Sequence, residues 1–454
     1  TEPERPTMNR RDFLKTAGLG AAAFGLSSGL LSRVARAAEQ HDHYFVFGYF
    51  EGGWDALLGL DPRDPRAFSE LNMRETGIQP AYDRLPAAFS RAPIEAGPFA
   101  LGPAAGDELA ALAGDFSVVR GINMATLTHE VGRRYFITGR VPSGLQARGN
   151  SVATLCCGQI GADRPVPHLG HQIENYNVDQ PAFAGAMSVA AVEHMQFILQ
   201  ENLGLPTDVP PNVKGALGAY WRRRQDCAPE AAAGGSRAAA LYAENRARAR
   251  DVVTSQLHRH FQFESAELAD VRQHFGIGPG MLETPYGRAA LAAQALQVGL
   301  SRVVSLALST QLDTHDQSWA TDHPVRLYEG FTALARLITR LKTTEAPGGG
   351  ALWDKTTLVC FSEFTRTPRL NERSGRDHHL GNCALVAGAG LKGGVVVGSS
   401  DSPGMGPVPV DLSTGRAQEG GVTLSPEHVM TTVLTAAGLD ASSLRSTPLP
   451  TLLA

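Results

Sequence analysis

Short apolar runs rich in β-branched and aromatic residues recur along this chain, at residues 44–50, 116–120, 303–308, 353–361, 383–389 and 395–397. They show little polar alternation, which predicts strands buried on both faces, as in a parallel sheet. Helical periodicity lies between them. Residues 281–300 lead into the 303–308 run, and residues 324–342 follow it. This strand–helix–strand order predicts a βαβ unit. A last helix is expected to start at Ser425-Pro426 and stop at Gly438, with proline in the first turn and glycine past the end. The middle reads differently. Residues 160–185 are rich in Pro, Gly and Asn, whereas 187–200 and 228–275 have helical character. The pattern therefore predicts an α/β fold with a mainly helical insertion at about 160–280.

Ligands of an open parallel sheet bind beyond the carboxyl ends of its strands, so the residues just after each run carry the candidate chemistry. The run at 303–308 is followed by Asp313-Thr314-His315, and the run ending at Phe361 by Glu363-Phe364-Thr365-Arg366-Thr367-Pro368. Arg376-Asp377-His378-His379 follows in a nearby loop. Carboxylates and imidazoles converging on one rim suit a divalent cation. After the first run, Gly52-Gly53 permit a tight turn into Asp55. Asp55 is read either as a ligand or as the cap of the next helix. Thr128-His129 follows the 116–120 run. Thr128 is a candidate nucleophile or helix cap, and Ser151 is its rival. Taken singly, each cluster also reads as turn caps, core histidines and a Glu363–Arg366 pair.

The chain has 454 residues, 43% of them hydrophobic, and a net charge of -4. That supports a large core and gives no basic excess for nucleic acid. The five cysteines show no CxxC pattern and do not form a disulfide framework. Cys156-Cys157, Cys360 and Cys383 are expected to be buried apolar side chains. Near the start, Arg10-Arg11 precedes a Gly/Ala-rich apolar run and then Ala35-Arg36-Ala37. This reads as a twin-arginine export signal over residues 1–37, leaving no stable membrane span after cleavage. Arg222-Arg223-Arg224 is expected on a solvated face.

The leader, Gly52-Gly53-Trp54-Asp55, Asp313-Thr314-His315, Glu363 to Pro368 and Asp377-His378 together resemble the exported bacterial family called domain of unknown function 1501, within the alkaline phosphatase and sulfatase superfamily. The resemblance implies a doubly wound, mostly parallel sheet sandwiched by helices over residues 38–454. It implies one or two divalent ions (Zn, Mn, Mg or Ca) held by Asp55, His129, Asp313, His315, Glu363, Asp377 and His378. Thr128 falls at the nucleophile position, Arg366 would neutralise an anionic group, and His379 would stabilise the transition state. Phe364 stands where the superfamily has a histidine. The implied activity is in-line displacement on a small phosphate or sulfate ester. The alternative is an inactive exported metal-binding or assembly protein that keeps the fold. The twin-arginine export machinery is the one protein partner implied.

Overall fold

The computed structural model describes residues 42–200, 210–226 and 256–454. The export leader, Cys227 and most of the helical segment expected at 228–275 lie outside the described residues. Among these residues there are twelve strands: β1 (Tyr44–Phe50), β2 (Ile94–Ala96), β3 (Phe99–Leu101), β4 (Phe116–Asn123), β5 (His168–His171), β6 (Met187–Val189), β7 (Val303–Ser309), β8 (Thr356–Phe361), β9 (Thr365–Arg366), β10 (His378–His379), β11 (Gly381–Gly388) and β12 (Val396–Val397). Eight of them form one sheet in the order β12-β4-β11-β8-β1-β7-β5-β6. Every pairing is parallel except those of β11, which runs antiparallel to both β4 and β8. The carboxyl ends of the parallel strands therefore share one rim with the start of β11.

β1 lies at the centre, and its pleat divides the core. Tyr44, Val46 and Phe50 belong to one apolar cluster; Phe45, Phe47 and Tyr49 belong to the other. Successive strand residues point to opposite faces, so an unbroken apolar run feeds two layers of helices. Taking the helices that matter here in chain order, α1 is His129–Thr138, α2 Val152–Ile160, α3 Pro285–Gln297, α4 His323–Thr343 and α5 Pro426–Ala436. The face of Tyr44 is covered by α3 and α4 through residues such as Leu291, Leu296, Phe331 and Leu334. The face of Phe45 is covered by α1, α2 and α5 through Phe136, Leu155, Met430 and Val433. This is the helix-sheet-helix sandwich expected for buried parallel strands.

The 160–280 stretch departs from its expectation. It contributes β5 and β6 to the sheet edge, and residues 187–200 hold β6 and a short helix (His194–Ile198) rather than one long helix. Both strands are too short and too polar to be legible as apolar runs; β5 is held by pairing with β7, and β6 by pairing with β5. A helix does occur at Pro211–Asp226. The cysteines described, Cys156, Cys157, Cys360 and Cys383, are buried, as their apolar surroundings predicted. No helix among the described residues is long and apolar enough to cross a membrane.

Candidate metal centre

Four loops meet on the rim. The loop after β7 carries Asp313 and His315, that after β8 carries Glu363, that after β4 enters α1 at His129, and β10 brings His378 just before β11. Close backbone approach brings these loops together. A Cβ on Gly52, at φ +107°, would lie 2.5 Å from the Asp313 nitrogen, and one on Gly132 would lie 2.3 Å from the Glu363 carbonyl oxygen. Glycine at both positions lets β1's turn and α1 press against the cluster.

The centre of the cluster is Asp313 Oδ1. His315 Nε2 lies 3.0 Å from it, His129 Nε2 3.2 Å, His378 Nε2 3.5 Å and Arg366 Nη2 2.5 Å. Each imidazole is fixed from behind through Nδ1. His378 Nδ1 lies 2.6 Å from the Leu127 carbonyl oxygen, which can only accept, so the proton is on Nδ1. His129 Nδ1 lies 2.7 Å from Glu363 Oε1, and His315 Nδ1 2.7 Å from Asp377 Oδ1. Both carboxyls are held ionised. Burial pushes that of Glu363 up, but its bond and attraction to His129 outweigh this and lower it. The His315 bond is the main reason that of Asp377 is low. Ionised carboxylates accept, so all three rings donate Nδ1–H outward and present Nε2 inward.

Such outward Nδ1–H bonds are the usual support of metal-bound histidines. The donor atoms of His129, Asp313 and His378 all lie within 4.8 Å of one another. His315 Nε2 is 3.0 Å from His378 Nε2. Ligand atoms about 2.0–2.1 Å from a tetrahedral ion stand roughly 3.3 Å apart, which matches these separations. His129 Nε2 is buried without a hydrogen-bond partner among the described residues. The residues thus fit one divalent cation. Without it, burial pulls the His129 ring down, but Glu363 and Asp313 outweigh this and raise it. Burial, with the charges of Arg366 and the other imidazoles, lowers His378. Burial also opposes ionisation of Asp313, yet Arg366 holds its carboxyl down at about 2.

The structure sorts the sequence candidates. His129, Asp313, His315 and His378 converge. Glu363 and Asp377 stand behind them as supports: Glu363 also accepts from Gly52 N and Ser362 Oγ, each at 2.9 Å, and Asp377 also accepts from Asn371 Nδ2 at 3.0 Å. Asp55 is not a member. It is 1% exposed and bound by Arg376 Nε at 2.9 Å, Trp319 Nε1 at 2.8 Å and Leu57 N at 2.9 Å. No helix follows directly for it to cap; Oδ1 instead accepts from Leu57 N and Leu58 N in the turn that comes next.

Arg366 does not offer an anion clamp. Its side chain is wholly buried, and its N–H groups go to Gly53 O, Arg376 O, Gly52 O, Asp313 Oδ1 and, at 3.3 Å, His315 Nε2. It is a positioning residue. His379 turns away, because β9 and β10 pair His378 with Arg366 and His379 with Thr365, and successive residues face opposite sides. His379 Nδ1 accepts from Gly381 N at 3.0 Å. Thr128 is exposed at the N-cap of α1, and its side chain makes no cap hydrogen bond. Its rival Ser151 is buried and accepts from Tyr176 N at 2.8 Å. Sequence reasoning missed the Leu127 carbonyl and Asn371, which act through backbone or amide atoms that no motif marks. It also missed Arg376 as Asp55's partner, although Arg376 stood within a cluster already singled out.

Residues 103–448 match the family model described as "Protein of unknown function (DUF1501)". No curated protein matches the chain. Among solved structures, it is similar to a protein in the alkaline phosphatase superfamily from Vibrio parahaemolyticus, at 11% identity and TM-score 0.38, covering 88% of this chain and 68% of that one. It is also similar to the PsFucS1 sulfatase from Pseudoalteromonas sp., at 10% identity and TM-score 0.34, covering 90% and 71%. A third is the lipoteichoic acid synthase LtaP from Listeria monocytogenes, at 8% identity and TM-score 0.32, covering 89% and 74%.

Proposed function

We propose that this chain, which belongs to the DUF1501 family, is an exported hydrolase of phosphate or sulfate esters that depends on one divalent cation. The observation that carries the reading is the inward turn of three Nε2 atoms around Asp313 Oδ1. His129, Asp313, His315 and His378 would hold the ion. A set dominated by imidazole favours zinc, or manganese through its carboxylate, over magnesium or calcium. When bound, the cation supplies a Lewis acid for an ester oxygen and lowers the pKa of a hydroxyl or water.

The chain's own residues do the rest. Glu363, Asp377 and the Leu127 carbonyl fix the rings, and Arg366 fixes Asp313. Thr128, one residue before His129 and exposed, is the candidate nucleophile for in-line displacement; a water is its competitor. The paired arginines at Arg10-Arg11 support export by the twin-arginine machinery.

A second reading is a metal-binding protein without turnover. It is favoured by one specific observation: Arg366, the cation nearest the cluster, has its N–H groups committed to protein acceptors. The deciding experiment is turnover of aryl phosphates, phosphodiesters and aryl sulfates by zinc- or manganese-loaded protein. Activity lost in Asp313→Ala and His378→Ala supports the hydrolase. Bound metal with no turnover of any ester supports the second reading.

A further inference from the structure

Beside the imidazole cluster, the rim carries polar side chains that the proposed chemistry does not use. Glu51 follows β1. Its backbone is pinned to the rim, its nitrogen donating to Ser309 O at 2.9 Å and its carbonyl accepting from Leu312 N at 3.0 Å. Its side chain is exposed and makes no hydrogen bond to a described residue. Its carboxyl is pushed up by burial and by Glu363, and drawn down by Arg133, Arg288 and His129. Held by Ser309 at the end of β7 and by Leu312 next to Asp313, Glu51 stands on the rim beside the loop that enters the cluster.

Arg288, on α3, is 7% exposed. One N–H reaches the Ala307 carbonyl at 3.2 Å, where β5 has ended and no longer pairs with β7. Its Nε has no partner, and no carboxylate of a described residue lies within ion-pair distance. His171, the last residue of β5, is fully buried, and neither ring nitrogen makes a hydrogen bond. Glu283 Oε2 stands 3.5 Å from His171 Nε2, while Glu283 Oε1 accepts from Val192 N at 2.5 Å. Burial, with Arg288 nearby, lowers His171 to about 4, so this ring is neutral at pH 7.

Buried polar groups are nearly always satisfied, so two neighbours with unmet capacity need a partner. The alternation selects its chemistry. A second anion would meet the carboxylates of Glu51 and Glu283. A cation would meet Arg288. An apolar group would leave Arg288 and His171 unmet. Hydroxyl groups both donate and accept, and so match donors interleaved with acceptors.

We propose that Glu51, Arg288, His171 and Glu283 form a subsite, continuous with the imidazole cluster, for an uncharged, hydroxyl-bearing part of the ligand such as a sugar or polyol. The subsite rests on reading the cluster as an ester site only for what is attached to that sugar, so the two are tested separately. For the pair together, metal-loaded full-length protein is titrated calorimetrically with hexose sulfates and phosphates, and with ethyl sulfate and ethyl phosphate. The hexose esters should bind at least ~10-fold tighter, and Arg288→Gln and Glu51→Gln should shrink that ratio toward one with metal content unchanged. Glu51 is exposed, so its variant keeps the test alive if Arg288→Gln does not fold. For the subsite alone, saturation-transfer NMR with free hexoses needs neither metal nor ester. Transfer lost in Arg288→Gln or Glu51→Gln supports the subsite even where no ester binds. A ratio near one in the parent protein, a ratio undiminished in both variants, or no transfer from any hexose means that water alone fills the strip, and overturns the proposal.

Discussion

His315 and His378 meet Nε2 to Nε2 at 3.0 Å. Each has already committed its Nδ1–H, to Asp377 and to the Leu127 carbonyl. Their Nε2 lone pairs face one another beside a carboxylate oxygen, with Arg366 Nη1–H directed at that of His315 from 3.3 Å, and a divalent cation between the rings would relieve the repulsion that remains. Zinc or manganese should therefore bind with a stoichiometry near one and raise the melting temperature. Removing a support rather than a ligand is the sharper test. Glu363→Gln and Asp377→Asn should weaken metal binding by roughly 10–100-fold, and Asp313→Ala by more. Calorimetric titration reads this directly, and unchanged affinity in both support variants would contradict the tautomer assignment.

Arg366 gives a prediction opposite to that for a substrate clamp. A clamp lost to lysine lowers turnover and leaves stability alone. Here the guanidinium spans Gly52, Gly53, Arg376 and Asp313 inside the protein. An ammonium cannot reach those acceptors together. Arg366→Lys should cost about 3 kcal/mol or more of folding stability, as breaking a buried charged network does. Urea denaturation measures it; a native midpoint would return Arg366 to the anion-binding role.

The fold was legible because β1, β7 and β8 are apolar on both faces, and only a parallel sheet between helices asks for that. β5 and β6 were not, since four residues of His-Leu-Gly-His and three of Met-Ser-Val carry no periodic signal and are strands only because β7 pairs with β5 and β5 with β6. At the site, residue types pointed to the right rim but not to rank. Asp313 and Asp55 look alike in sequence, each an acid after a strand. Each meets a buried arginine, Arg376 for Asp55 and Arg366 for Asp313; what separates them is that Trp319 and the next turn enclose Asp55, whereas three imidazoles converge on Asp313. Likewise His378 and His379 are equal as letters. The pairing of β9 with β10 alone decides which one faces the cluster.

The Asp55–Arg376 pair carries its own test. Both side chains are almost fully buried and 2.9 Å apart. Asp55→Asn leaves the shape but strands a buried guanidinium. The loss should be roughly 3–5 kcal/mol, with metal content per folded molecule unchanged. Metal lost in proportion to the substitution, without loss of stability, would restore Asp55 as a ligand.

Acid should weaken this protein well above the pH at which its carboxylates protonate. His168 is buried, with Nε2 3.0 Å from Ser305 Oγ, and burial lowers it to about 4. His171 is lowered to about 4 in the same way. His323, fully buried between Thr314 and the Asp55 amide, is lowered well below the ordinary imidazole range by burial and by the charges of Arg366 and Arg376. In the unfolded chain each ring takes up a proton near pH ~6.5. Between that pH and about 4, the unfolded state binds protons that the folded state refuses, so stability falls as pH falls. Above pH ~6.5 the contribution is complete. A shift of that size corresponds to about 3 kcal/mol for His168 alone. Depressed carboxyls such as Asp377 add their own loss only at lower pH, below the ordinary carboxylate range. Denaturation midpoints at pH 7, 5.5 and 4.5 should thus decline steeply, and a substitution of His168 by Asn should flatten the slope, at some cost in stability at pH 7. A flat profile down to pH ~4.5 would mean that these histidines are not held neutral inside the fold.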